Sequence, residues 1–137
     1  MKRNFLWLVV LGGILAALAV LWQVFAIAAY FRTAESGWLD AHGLGSLFVH
    51  IGQLAIVIGA IVAAWGNWKT VGTAVAFLVL SVAQLGFLGD TENGGGGDWY
   101  NGLHGLLAIV VLLAALAYYQ WAGRRLGLRW PGVGDSA

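Results

Sequence analysis

From Phe5 to Phe31 the chain runs without one charged side chain. A bilayer core about 30 Å thick needs about 20 helical residues to cross it, so this run is long enough to span. In a soluble protein it would have to be buried on all sides, and the rest of the chain cannot supply the cover. Only 9% of the 137 residues are charged and 61% are hydrophobic, against about 25% charged in an average soluble domain. Three further charge-free runs follow, Ala41 to Trp68, Thr70 to Gly89 and Trp99 to Gly123. Backbone polar groups in lipid must be satisfied within the segment, so each run is expected to be a helix. The alternation of barrel strands is absent.

These runs predict an all-α, integral membrane, up-down-up-down four-helix bundle. The expected spans are about 5–31, 41–66, 70–89 and 99–122, forming one transmembrane domain over 1–123. A polar tail, 124–137, follows. Lys2-Arg3 and Ala26-Ile27-Ala28 together look like a signal peptide, but the apolar run between them is about twice the usual length of 7–15 residues. Retention as a helix is expected.

The basic residues set an expected orientation. Lys2, Arg3, Lys69, Arg124, Arg125 and Arg129 fall on one side, and Arg32 stands alone on the other with Glu35, Asp40, Asp90, Glu92 and Asp98. The positive-inside rule then places both termini and the tail in the cytoplasm, with the chain in the cell (inner) membrane. Trp38, Trp65, Trp68, Trp99 and Trp121 fall at span ends, as an aromatic belt requires. A net charge of +1 leaves no footprint for nucleic acid. The absence of cysteine removes disulfides, iron–sulfur clusters and thiol chemistry. The short connection Trp65-Gly66-Asn67-Trp68-Lys69 makes the second and third spans antiparallel neighbours.

Polar residues within spans should face the bundle interior. With His42 at zero on a helical wheel, Gln53 falls at about +20° and His50 at about +80°. Gly45, Gly52 and Gly59 recur every seven residues, which permits close helix approach. In the fourth span His104 shares a face with Asn101, Ala108, Val111 and Ala115. Gln23 and Gln84 suit interhelical hydrogen bonds, worth about 1 kcal/mol each. Hydrolase chemistry is not expected, because Ser46 and Ser81 have no histidine–carboxylate partners at useful spacing. No acidic residue lies mid-membrane, which argues against a transporter or channel.

A weak internal repeat carries the functional signal. His42-Gly43-Leu44 opens the second span and His104-Gly105-Leu106 opens the fourth, with Trp38 and Trp99 shortly before them. The two hairpins therefore read as parallel pseudo-repeats. Measured from those tryptophans, His42 lies about 6 Å deep and His104 about 7.5 Å deep. Two imidazoles at matched depth can hold a cofactor between them. Neutral imidazole is an axial ligand for haem iron, and Gly43 and Gly105 leave space for a flat macrocycle. The candidate metal ligands are His42 and His104, with Gly43, Gly45, Gly105, His50, Gln53 and Asn101 as supporting cofactor-binding residues. A histidine near an interface also suits a hydrogen bond to a carboxylate such as Asp40 or Asp98. His50 remains open between supporting partner, alternate ligand and packing.

These residues resemble four-helix membrane b-type cytochromes. The arrangement looks more closely like one half of haem A synthase, and like small uncharacterised bacterial four-helix proteins with an outer D-x-H-x-x-G motif and a later histidine. Asp40, His42 and Gly45, then His104, match that pattern. Gly43 stands where haem A synthase carries arginine in its acidic–arginine motif, so the resemblance implies a haem-holding bundle rather than a synthase. It implies haem b, electron transfer or an accessory role in a redox complex, and quinone or other membrane redox subunits as partners. The other reading is an accessory subunit of a larger membrane complex, binding a pigment or no cofactor. Beyond the lipid bilayer, a homo-oligomer is also compatible with the small-residue faces.

Overall fold

The computed structural model describes residues 2–88 and 98–128, with side chains for 2–85 and 102–128. Among these residues every regular element is an α-helix: α1 (Lys2–Thr33), α2 (Gly37–Ala63), α3 (Trp68–Leu88) and α4 (Asp98–Leu126). All four are long and apolar enough to cross a membrane. α1 packs on α2 and α4, and α3 packs on the same two, so the helices sit in cyclic order with α1 and α3 on a diagonal. One end of the bundle carries the α1–α2 loop, here termed the loop end. The other, the turn end, carries the α2–α3 turn.

The helices run beyond the charge-free stretches because local capping, not hydropathy, ends them. α1 continues through Arg32 to Thr33, where Ala34 turns left-handed with φ 57° and donates its N–H to Tyr30 O at 2.8 Å. This is a single-bond left-handed cap. α4 runs past Gly123 through Arg124 and Arg125 to Leu126. It closes in a Schellman motif: Gly127 has φ +76°, Leu128 N–H reaches Gly123 O at 2.9 Å and Gly127 N–H reaches Arg124 O at 3.2 Å. The first residues assigned to the tail therefore belong to the helix, with both arginines placed favourably at its negative end. Between α2 and α3 the chain turns through Gly66 at φ +89°, and Asn67 Oδ1 accepts the Thr70 N–H at 3.3 Å, a cap for the start of α3.

Packing is inverted relative to a soluble bundle. The buried positions are mostly small, Ala16, Ala19, Ala26, Ala60, Ala115 and Ala122 among them, while Leu11, Leu18, Leu113 and Val79 are about 60% exposed. Without a hydrophobic drive between helices in lipid, close backbone approach supplies the attraction. The tightest seam is α1 against α2. A methyl group on Gly12 would lie 2.6 Å from Gly52 O, and one on Gly52 would lie 2.6 Å from Gly12 O. Gly45 and Gly59 extend this seam in both directions, against Gln23 and Val9. The neighbouring Gly13 faces the other way, onto Ala115 and Tyr119 of α4. One glycine pair thus lets α1 approach two helices at once.

Towards the turn end the core includes Val9, Val10, Ile56, Val57, Ala74 and Tyr118. Tyr118 O–H donates to Thr70 O at 2.6 Å and meets the Thr73 hydroxyl, tying α4 to α3. Towards the loop end, by contrast, the four helices do not close on one another.

Candidate functional site

That unfilled space is a cavity of about 630 Å³ with walls from all four helices. Most of its lining is aliphatic: Val20, Val24 and Ile27 from α1, Val49 from α2, Leu85 from α3 and Leu112 from α4. Polar groups enter in two places, His42 with His104 near the loop end and His50 with Ser81 and Gln84 further in. A mostly apolar pocket of this size with a few convergent polar groups has the character of a small-molecule or cofactor site.

His42 follows Gly37 by five residues and His104 follows Asp98 by six, so the two histidines enter the bundle at matched positions on α2 and α4. Their ring centroids lie 6.1 Å apart, with planes tilted by 53°. His42 is held from behind: its Nδ1 lies 3.0 Å from Gln23 O on α1. A carbonyl only accepts, so Nδ1 carries the proton and the Nε2 lone pair is left available. Metal-binding histidines are commonly oriented in this way. Gln23 Nε2 returns a hydrogen bond to His42 O at 3.4 Å, and Trp22 Nε1 donates to Ala41 O at 3.0 Å. Three contacts therefore fix the register of α1 against α2 beside the histidine. The interhelical bonding expected of Gln23 is present.

His104 differs from its partner. Its Nδ1 is buried with no hydrogen-bond partner among the described residues. An unsatisfied buried polar atom costs about 1–3 kcal/mol. Gly43 and Gly105 both line the cavity and are exposed. A side chain at either would meet nothing within 4 Å, so they leave open flanks beside the two rings.

The donor set fits a haem. A metal lies about 2.0–2.1 Å from an imidazole nitrogen and the ring centre about 1.1 Å beyond, so two imidazoles facing across one metal have centroids about 6.3 Å apart. The observed separation agrees to a few tenths of an ångström. Among the described residues no group of three or more His, Cys, Asp or Glu side chains could hold a bare ion, and a bare zinc ion requires three or four protein ligands. Two imidazoles suit a metal that brings its own equatorial donors, as a macrocycle does.

The other candidates are distributed over different parts of the structure. His50 lines the same cavity, but both of its ring nitrogens have partners: Nδ1 lies 2.7 Å from Ser46 O and Nε2 lies 3.3 Å from Ser81 Oγ. Gln53 is 4% exposed and does not reach the large cavity. Its Nε2 donates to Phe77 O at 3.4 Å, and its Oε1 is an unpartnered buried atom in a separate small pocket with Tyr118. Gly45 packs on Gln23 and Trp22 rather than facing the cavity. Asn101 lies outside the residues whose side chains are described, as do Asp98 and the acidic residues Asp90 and Glu92.

The pairing of Ser81 with His50 is one the spacing of the sequence gave no sign of. It does not make a hydrolase site. Ser81 is in the interior of α3, where backbone N–H groups are committed to the helix ladder, so no oxyanion hole stands beside it, and the Nδ1 of His50 meets a carbonyl instead of a carboxylate. Gln84, expected to face inward and suit an interhelical hydrogen bond, is 6% exposed and joins Ser81 on the cavity wall. The chain matches no family model, and no curated protein or solved structure is similar to it.

Proposed function

We propose that this protein is a membrane haem-binding protein of the b-type cytochrome kind, in which His42 and His104 would hold haem b through their imidazoles. What supports the reading is the pair itself: two imidazoles with ring centroids 6.1 Å apart, with the His42 proton held on Nδ1 by Gln23 O so that its Nε2 lone pair is available. Haem iron would supply one-electron exchange between ferric and ferrous states. The protein's part is to present the Nε2 of His42, to leave open flanks at Gly43 and Gly105, and to keep water from the ring edges with Val20, Val49 and Leu112. The proposed role is electron transfer, alone or as an accessory subunit of a redox complex, exchanging electrons with quinone or another membrane redox subunit. No catalytic residue is assigned.

The test is a pyridine haemochrome assay on detergent-purified protein, with reduced-minus-oxidised spectra beside it. The expected result is a b-type spectrum that is lost in His42→Ala and in His104→Ala. A colourless protein after expression with ample haem, or an unchanged spectrum in both variants, overturns the proposal.

A further inference from the structure

His50 has no task in axial ligation, yet it faces the same cavity with a hydrogen-bond arrangement of a particular kind. Its Nδ1 lies 2.7 Å from Ser46 O. A carbonyl accepts and never donates, so this nitrogen is protonated in every state. Its Nε2 lies 3.3 Å from Ser81 Oγ, and a hydroxyl both donates and accepts. With a neutral ring, the Ser81 hydroxyl donates to Nε2. With a protonated ring, Nε2–H donates to the Ser81 oxygen. A buried group that changes charge ordinarily leaves a partner unsatisfied in one state, at about 1–3 kcal/mol. Here both ring nitrogens of His50 keep a partner in either charge state, and a rotation of the Ser81 hydroxyl separates the two.

The charges around His50 give this arrangement its meaning. α1 presents Gln23 to the cavity and α3 presents Ser81 and Gln84, all neutral. Among the described lining residues the titratable groups are His104 from α4 and His42 from α2 itself. Among the described residues no carboxylate lines the cavity, so none of these gives a positive charge on His50 a fixed counter-charge. His50 follows His42 by eight residues, about 12 Å along the helix axis, within one low-dielectric space. An electron gained near His42 and His104 is the compensating charge that these lining residues do not provide.

We infer that electron entry into this cavity is coupled to proton uptake at His50, with Ser81 as the hydroxyl that lets the ring change charge. The inference rests on the haem reading. The balance is simple: one electron passes from a one-electron donor to the iron, one proton passes from bulk water to Nε2 of His50, and no other bond is made or broken. Coupling is reciprocal. Protonation of His50 favours the reduced state, so the midpoint potential falls as pH rises through the range where the ring loses its proton. The limit is a tenfold change in the reduction equilibrium per pH unit, equivalent to about 59 mV for one electron.

The experiment is a mediated potentiometric titration of the haem-loaded protein, with dithionite as reductant, between pH 5 and 8, where histidine ordinarily changes charge. The wild-type potential is expected to fall with pH over part of this range. The haem-bearing fraction of His50→Gln is expected to give a flat line, and Ser81→Ala to move the sloping region to lower pH, because the imidazolium loses its acceptor. Nitrogen-15 NMR of the His50 ring gives a readout independent of these variants: the ring is expected to pass from neutral to imidazolium on reduction at a pH within the slope. A flat wild-type line, a slope that survives in His50→Gln, or a ring that stays neutral overturns the proton coupling and leaves the haem reading standing. A protein that takes up no haem overturns both.

Discussion

Gly52→Ala tests the seam that positions His42. The added methyl group would lie 2.6 Å from Gly12 O, 2.8 Å from Ala16 N and 2.9 Å from Ala16 Cβ, whereas ordinary contact begins near 3.4 Å. Two of those neighbours are backbone atoms of α1 and cannot rotate aside. Relief requires α1 and α2 to separate locally by about 0.8 Å, the difference between 3.4 and 2.6 Å. Overpacking of this kind costs about 1–3 kcal/mol, set against a helix-propensity gain of about 0.5–1 kcal/mol for replacing glycine. The net expectation is a loss of up to about 2.5 kcal/mol by these two ranges, against a gain in the control. The matched control is Gly72→Ala on α3, where a methyl group meets nothing within 4 Å, and where only the propensity gain applies. The assay is reversible unfolding in mixed micelles, followed by helical circular dichroism. Separation of the helices would also stretch the contact between His42 Nδ1 and Gln23 O, so haem affinity should fall in Gly52→Ala and hold in Gly72→Ala. Equal stabilities for the two variants would refute the interlocked seam.

Ala34→Gly should stabilise the protein by up to about 1 kcal/mol in the same assay, because a left-handed cap penalises a Cβ and not a glycine; a loss of stability would show that the loop does not hold φ 57°. Tyr118→Phe removes the hydrogen bond to Thr70 O and should cost about 0.5–1.5 kcal/mol; the helix ladder keeps Thr70 O partnered, so a much larger loss would mean the hydroxyl serves more than α3 docking. Cysteine replacing Gly95 should react with an impermeant thiol reagent added outside intact cells, and cysteine replacing Ser136 only after lysis. The opposite pattern would overturn the orientation read from the basic residues.

The four helices were legible because charged residues interrupt otherwise apolar runs, and burial in lipid leaves such runs no alternative to a helix. The ends were less legible. Hydropathy measures side-chain transfer, whereas α1 and α4 stop where Ala34 and Gly127 turn left-handed, so both helices carry arginines that hydropathy excludes. The seven-residue spacing of Gly45, Gly52 and Gly59 correctly marked a close face, though not that α1 would occupy it. His42 and His104 could be matched because each is placed by its own helix start. The pairing of His50 with Ser81 could not, since it depends on the relative height of α2 and α3, which no single-helix periodicity reports. The same reason explains Gln53: the wheel places it on the His42 face, but three turns deeper that face meets Phe77 rather than the cavity.

The uneven packing of the bundle has a consequence for how it is made. Helices leave the ribosome in order, and the first two already contain the close backbone approach between Gly12 and Gly52. They also contain both sides of the contact that aims His42, Gln23 and its carbonyl. The first hairpin can thus mature as a unit during synthesis, with one of the two facing histidines set. His104 arrives last, on a hairpin whose own two helices pack far less closely together. Docking of that second hairpin completes the cavity, whose walls come from all four helices, so until then the space beside His42 stands open to one side.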